Sequence, residues 1–299
     1  MAVITALVAW GALALDWLLG EPRRHPLVGF GRLATWLEQR LWGKTRPRVR
    51  GALAVALLVL PPVGIAALLR GLPATAIATD LLLLYFALGH RSLDDHARPV
   101  ARALRENRPE EARRLAARMV SRDAESLDAP AATVESVLEN GNDALFGALF
   151  WFALAGGPGA LGYRLVNTLD AMWGYRNERY EQFGWAAARL DDLLNWAPAR
   201  LTALGYALAG RTRRALRCWR SQAGAWKSPN AGPVMASGAG ALGIELGGPA
   251  RYGGRWEPRP RLGEGRPPEA RDIERALGLV RRSLGLWLGA FLLAGLVHA

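Results

Sequence analysis

The sequence predicts an all-α, polytopic integral membrane protein. Three observations carry that reading. Apolar residues fill 51% of the 299 positions and charged residues 21%, and the two kinds fall into alternating blocks. Lys and Arg number 38 against 26 Asp and Glu, and the excess lies in the polar blocks, as it does in the cytoplasmic loops of membrane proteins. The 12 Trp and 34 Gly are many for a soluble domain. The same composition excludes a disordered chain, a collagen and a disulfide scaffold. The single Cys218 has no internal partner.

The apolar blocks follow in order. Residues 1–19 carry only Asp16 near their end, and with no basic n-region they read as a retained helix rather than a cleaved signal. Residues 51–69 enclose Pro61-Pro62, residues 72–88 enclose Asp80, and residues 283–299 close the chain. Each approaches the ~20 residues that a spanning helix needs. Residues 21–50 hold eight Lys or Arg against two Glu, and residues 211–282 hold fifteen against six acids. Both segments are expected in the cytoplasm. Only Arg70 and Gly71 part the second and third blocks, which makes a hairpin turning on the outer side.

Residues 143–163 resemble a further span, but Gly156-Gly157-Pro158-Gly159 interrupts them. The apolar run at 201–209 is too short to bring a full crossing back. A re-entrant pair of half-helices over 143–173 fits better, because broken helices at membrane depth are tolerated when buried in protein or lining a cavity. The expectation is one membrane-embedded domain, 1–299, with four spans, one re-entrant pair and cytoplasmic segments 20–50, 89–142 and 174–282. The run from Pro258 to Pro268 reads as a flexible, partly polyproline loop. The net charge of +12 suits anionic headgroups, and no nucleic-acid motif accompanies it.

Several polar groups stand out. Residues 98–120 alternate charge with Ala and Leu, the pattern of a solvated amphipathic helix. Arg122 and Asp123 precede Glu135, Glu139 and Asp143, whose i, i+4, i+8 spacing places three carboxylates on one helix face. Such a face is either solvated or built around a cation, and the membrane entry that follows favours a site. Asn167 and Asp170 lie at i, i+3. Asp191, Asp192 and Asn195 lie within one helical turn. Oxygen donors of this kind suit Mg²⁺ paired with substrate phosphates, and Arg176, Arg179 and Arg189 between them either neutralise the acids or grip phosphate.

Lys227-Ser228-Pro229-Asn230 precedes a Gly-rich run, Ser237 to Gly243, that matches G-x-G-x-x-G in letters. No βαβ pattern surrounds it, so a dinucleotide loop is a weak reading. Gly-rich backbone beside Ser228 and Asn230 would suit an anion nest. Gly43-Lys44-Thr45 fails as a Walker motif, because Glu38 stands where the upstream glycine belongs. His25, His90, His96 and His298 lack zinc-ligand spacing, and His25 and His90 read as capping or substrate-contacting groups. Asp80, an acid within an apolar block, is a functional candidate by default; pairing with a neighbour such as Thr79 is the alternative.

Seven motifs in register resemble the adenosylcobinamide-phosphate synthase family of cobalamin biosynthesis, an integral membrane family. They are Asp16-Trp-Leu-Leu-Gly-Glu-Pro22 with His25-Pro26, Ser121-Arg-Asp123, Val134-Glu-Ser-Val-Leu-Glu-Asn140, Asn167-Thr-Leu-Asp-Ala-Met172, Gly174-Tyr-Arg-Asn177, Ala188-Arg-Leu-Asp-Asp-Leu-Leu-Asn195 and Ser228-Pro-Asn-Ala-Gly232. The resemblance covers about Asp16 to Gly254. Ala171 departs from it, standing where the family is expected to carry Ser.

The resemblance implies an ATP-dependent, amide-forming ligase that joins adenosylcobyric acid, a corrinoid, to aminopropanol or its O-phosphate. It implies a multi-pass inner-membrane protein whose site faces the cytoplasm, with the lipid bilayer as a partner and a homo-oligomer compatible with it. On that reading Asn167, Asp170, Asp191, Asp192 and Asn195 form the Mg²⁺ platform. Arg122, Arg176 and Arg189 clamp phosphate, and Ser228 and Asn230 hold substrate phosphate or corrin amides. Glu135 or Glu139, made basic by partial burial and mutual repulsion, takes the ammonium proton, with Asp123 and Asp143 beside them. The rival enzyme reading is an intramembrane prenyl or phosphoalcohol transferase with a Mg²⁺-diphosphate site. A transporter is a third, disfavoured because the acids lie toward one face.

Overall fold

A backbone in hydrocarbon must satisfy its own N–H and C=O groups, and helices carry most of the described residues. The computed structural model describes residues 2–22, 25–43, 45–175 and 177–297. The helices are α1 (Ala2–Leu19), α2 (Pro26–Leu41), α3 (Pro47–Gly71), α4 (Ala76–Ala87), α5 (His90–Arg105), α6 (Pro109–Ala116), α7 (Ala129–Gly141), α8 (Gly147–Trp173), α9 (Tyr180–Phe183), α10 (Trp185–Ala209), α11 (Thr212–Gln222), α12 (Ala231–Leu242) and α13 (Ala270–Val297). Among the described residues, four three-residue strands, β1 (Glu245–Gly247), β2 (Ala250–Tyr252), β3 (Arg255–Glu257) and β4 (Arg261–Gly263), precede α13.

Among the described residues, three helical stretches are long and apolar enough to cross a membrane: α3, residues Ala129–Trp173, and α13. The blocks expected at 51–69 and 283–299 fall within α3 and α13, and α1 takes up the first block. The block expected at 72–88 shrinks to α4. Its 12 residues extend about 18 Å, well short of the ~30 Å hydrocarbon thickness. The turn through Leu72 to Thr75 uses up the rest of its beginning.

The described chain clusters into two compact units. The first holds the chain up to Gly89, Asp143–Asn195, and the last residues from Ala294. Here α8 packs against α3 and α4, and α1 against α4. Its core gathers Leu58, Val59, Leu165, Leu169, Trp173 and Phe183. Leu7, Trp10 and Trp17 on α1 and Leu57, Leu60 and Leu68 on α3 point outward, as lipid-facing residues do.

α8 is two half-helices rather than a rod. Gly156 takes φ 65° and ψ −157°, a conformation open to glycine. The chain doubles back there. A Cβ on Gly147 would overlap the Tyr163 phenol, and one on Gly159 would overlap the Trp151 carbonyl, whereas a straight helix would hold residues 147 and 163 about 24 Å apart. The hairpin expected from the Gly-Gly-Pro-Gly run is therefore present as backbone geometry. Asp80 ties its apex, accepting the Gly157 N–H at 2.7 Å and the Arg70 Nε–H at 2.9 Å.

The second unit holds His90–Asn142 and Trp196–Leu293. α5 and α6 are amphipathic, with Leu93, Ala97, Val100 and Ala112 buried, as the charge pattern predicts. α12 is buried along its whole length, because Gly and Ala let α11 and α7 approach closely. The glycine run therefore lies in a buried helix, ending on Gly243 at φ 71° as its C-cap, and is no dinucleotide loop. Strands β1 and β4 pair antiparallel, with Leu246 opposite Leu262, and β2 pairs with β3. Part of the segment expected as a flexible loop is thus the β4 edge of a small ribbon.

Candidate active site

The first unit holds four of the seven motifs, and two of them meet through Asn167 and Asp191. Tyr163, Asn167 and Asp170 fall at i, i+4 and i+7 on the second half of α8, and Asp191 and Asn195 at i, i+4 on α10, so each set shares a face. The Tyr163 hydroxyl donates to Asn195 Oδ1 at 2.9 Å. Asn195 Nδ2 donates to Asp191 Oδ2 at 3.1 Å, and Asn167 Nδ2 to Asp191 Oδ1 at 3.2 Å. Asp191 is thereby oriented by an amide on each oxygen. Burial pushes its pKa up to about 6, the two amides oppose that shift, and the neighbouring Asp192 charge adds to it.

Asp192, the residue after Asp191, lines a cavity of about 330 Å³. Arg48 from α3, Trp173 and Gly174 from the end of α8, Tyr175 and Tyr180, and Trp185, Arg189 and Asp192 from α10 line it. Glu38 on α2 holds the wall in place. Only 3% exposed, its carboxylate accepts Arg179 Nε at 2.9 Å and Nη2 at 2.6 Å, and Trp173 Nε1 at 3.1 Å. A smaller hollow of about 200 Å³ is lined by Asp16, Gly20, Glu21, His25, Tyr85 and Phe86. His25 caps α2 through its Nδ1, accepting the Leu27 N–H at 3.2 Å, and stacks on Phe86 at 5.2 Å. Burial lowers its pKa, and the Glu21 charge opposes that shift.

The five residues expected as a metal platform divide. Asn167 and Asn195 each hydrogen-bond to Asp191, and Asn195 also to Tyr163. Asp192 lines the cavity with Arg189 4.0 Å away. Asp170 faces Gly174, where an added Cβ would overlap its carboxylate. Among the described residues no three His, Cys, Asp or Glu converge as a metal site. Arg176, His298 and Lys44 lie outside the described residues.

The second unit holds the rest, and there most expected site residues do structural work. Glu135 is 2% exposed and ion-paired with Arg122 and with Arg259, the latter at 3.0 Å. It also accepts the Gly247 N–H at 2.8 Å. Two guanidiniums keep it a carboxylate, so the expected gain in basicity has no support there. They also commit Arg122, expected on phosphate, to Glu135. Asp123 accepts the Gly253 and Gly254 N–H groups at 2.9 and 2.8 Å, which pins the β2–β3 turn. Glu139 is exposed on α7. Asp143 falls in a π-helical turn, Asn142–Phe146, which breaks the expected i, i+8 register, and belongs to the first unit. Ser228 Oγ accepts the Ala231 N–H at 3.1 Å as a turn at the start of α12, and Asn230 Oδ1 accepts Arg200 Nη1 at 2.9 Å.

Sequence reasoning missed Arg48, Tyr163, Tyr175, Tyr180 and Trp185. The i, i+4 step from Tyr163 to Asn167 was the signal available for one of them. The others reach the cavity through tertiary packing.

Comparison with known proteins agrees with the motif reading. The CobD/Cbib protein family profile matches residues 9–280. A cobalamin biosynthesis protein CobD of Stutzerimonas stutzeri is 58% identical, with 100% of both chains covered. Its counterpart in Chromobacterium violaceum is 55% identical over 96% of this chain and 97% of the relative. That of Mycobacterium tuberculosis is 44% identical over 89% and 88%. No solved structure matches. With its motifs, apolar helices and full-length relatives in agreement, the chain belongs to the CobD/Cbib family, the adenosylcobinamide-phosphate synthases of cobalamin biosynthesis.

Proposed function

We propose that this protein is an ATP-dependent ligase that joins the free propionate of adenosylcobyric acid to the amine of (R)-1-aminopropan-2-ol or its O-phosphate, giving adenosylcobinamide or its phosphate. A carboxylate does not react with an amine at neutral pH, because its oxygen must first become a leaving group. Transfer of the ATP γ-phosphoryl group gives an acyl phosphate and ADP. Attack by the amine then expels phosphate and leaves the amide.

The observation that carries the reading is Asp191. The incoming amine arrives as an ammonium and must lose a proton. A base that titrates near the working pH does this best, and Asp191, held at about 6, is such a group. Its two amide donors fix its direction and leave lone pairs for the ammonium. Mg²⁺ with phosphates as co-ligands needs only one or two carboxylates. Asp192, on the cavity wall with a third of its side chain exposed, fits that need. When bound, the ion draws charge from the phosphate oxygens. Arg189 stands beside it to meet charge that develops on transfer.

The basic segment 21–50 supports an inner-membrane protein with this site on the cytoplasmic side. The test is purified protein in nanodiscs with adenosylcobyric acid, aminopropanol phosphate and Mg-ATP, read by mass. One amide per ATP consumed is expected. A protein that ignores the corrinoid but moves a phosphoalcohol or prenyl group onto an acceptor overturns the ligase reading in favour of a transferase.

A further inference from the structure

The 330 Å³ cavity has a chemistry of its own, and four observations bear on its occupant. The first is size. Its volume lies at the small end of ligand pockets, ~300–1,000 Å³, too small for a corrin macrocycle with its amide arms.

The second is charge. Arg48 and Arg189 reach the cavity from different helices, which suits an extended anion gripped at two points better than a single phosphate. Asp192, with Arg189 4.0 Å away, and Glu181 put two carboxylates on the same lining, and a divalent ion on a polyphosphate takes one or two.

The third is the aromatic wall. Trp173, Tyr175, Tyr180 and Trp185 line the same space. An aminoalkyl phosphate has no flat face to set against them, whereas a purine stacks on such rings. The Arg48 guanidinium lies 5.6 Å from the Trp185 ring centre, so the cationic and aromatic sides are continuous.

The fourth is how firmly the cavity is built. Gly184 packs so closely on Trp173 that an added Cβ would overlap the Trp173 carbonyl. The buried Glu38 fixes Trp173 and Arg179 from behind. The wall is therefore set before any ligand arrives, and little ordering cost remains for binding.

We infer that this cavity binds a nucleoside triphosphate as its magnesium complex, with the polyphosphate between Arg48 and Arg189, Asp192 on the metal side, and the base against Tyr175 and Trp185. The inference rests on the ligase reading, because that reaction needs a phosphoryl donor close to Asp191. It also separates the substrates: the nucleotide occupies the cavity, and the corrinoid must approach from outside it.

The experiment is photolabelling of the full chain in nanodiscs with Mg-8-azido-ATP, followed by peptide mapping. It needs no turnover. Label between residues 173 and 189, chased by unlabelled ATP, is the expected result. Arg48→Gln with Arg189→Gln is expected to raise the KM for ATP about tenfold or more while the KM for the amine stays within about twofold. Label at other peptides, or an ATP KM unmoved in a double variant that still ligates, overturns the site and leaves the ligase reading standing. Label at the cavity without amide formation leaves the site and overturns the reading. No label anywhere overturns the site.

Discussion

Asp80 accepts the backbone N–H of Gly157 at 2.7 Å although 77 residues separate them. The bond lies at the break of α8, where the second half-helix begins with N–H groups that have no partner within the helix. Arg70, on the same carboxylate at 2.9 Å, balances its charge. An acid that looks functional in an apolar stretch is thus the fastening of a helical hairpin.

Removing that fastening is expected to loosen the fold and spare the chemistry. Asp80→Ala leaves both the Gly157 N–H and Arg70 without this acceptor, at a cost of about 1–3 kcal/mol. Thermal unfolding in detergent should show a lower midpoint, with Asp80→Asn recovering part of it. Unchanged stability with turnover abolished would instead make Asp80 a participant in the reaction.

Asp191 links stability and activity in opposite directions. Its carboxyl binds its proton more tightly folded than unfolded, since its pKa rises from 3.8 to about 6. Its contribution to stability is therefore full below about pH 3.8 and is lost as the pH rises through about 6. Asp191→Asn should raise the unfolding midpoint at pH 8 and lower kcat by about 10²-fold or more. In the native enzyme, kcat should rise with pH through an inflection near 6. Asn167→Ala removes an amide that opposes the shift, so the inflection should move to higher pH. A pH–rate profile that stays the same in Asn167→Ala would count against Asp191 as the base.

Glu135 is expected to prove structural. Glu135→Gln leaves Arg122 and Arg259, 13% and 10% exposed, facing an uncharged amide. Breaking a buried pair in this way costs about 3–5 kcal/mol. Chemical denaturation of the purified variant should show that loss. A variant of native stability that no longer forms amide would return Glu135 to the role of base.

Ser228 offers a milder check on the second unit. Ser228→Ala removes the hydroxyl that accepts the Ala231 N–H, which should cost about 1 kcal/mol and leave the KM for both small substrates within about twofold. A large rise in either KM would assign Ser228 to substrate after all.

How far the sequence reaches can be traced residue by residue. The break at Gly156 is local, because a Gly-Gly-Pro-Gly run cannot continue an apolar helix undisturbed, and it was legible. So was the shared face of Asp191 and Asn195, since helical spacing alone sets it. The shortness of α4 was not, because hydropathy marks which residues are apolar and not where a turn begins. Nor was the ribbon from Glu245 to Gly263, whose strands of three residues show no alternating pattern long enough to read.

The order of residues thus settled the class of the protein, its family and which polar groups share a helix face, because those depend on neighbours one or two turns away. It left open which acid is spent on structure and which is free for chemistry. Glu135 finds Arg259 124 positions away, Glu38 finds Arg179 141 positions away, and Arg48 and Asp192 reach one cavity from α3 and α10. A carboxylate's role follows from its burial and the charges packed against it, and only the folded chain brings those together.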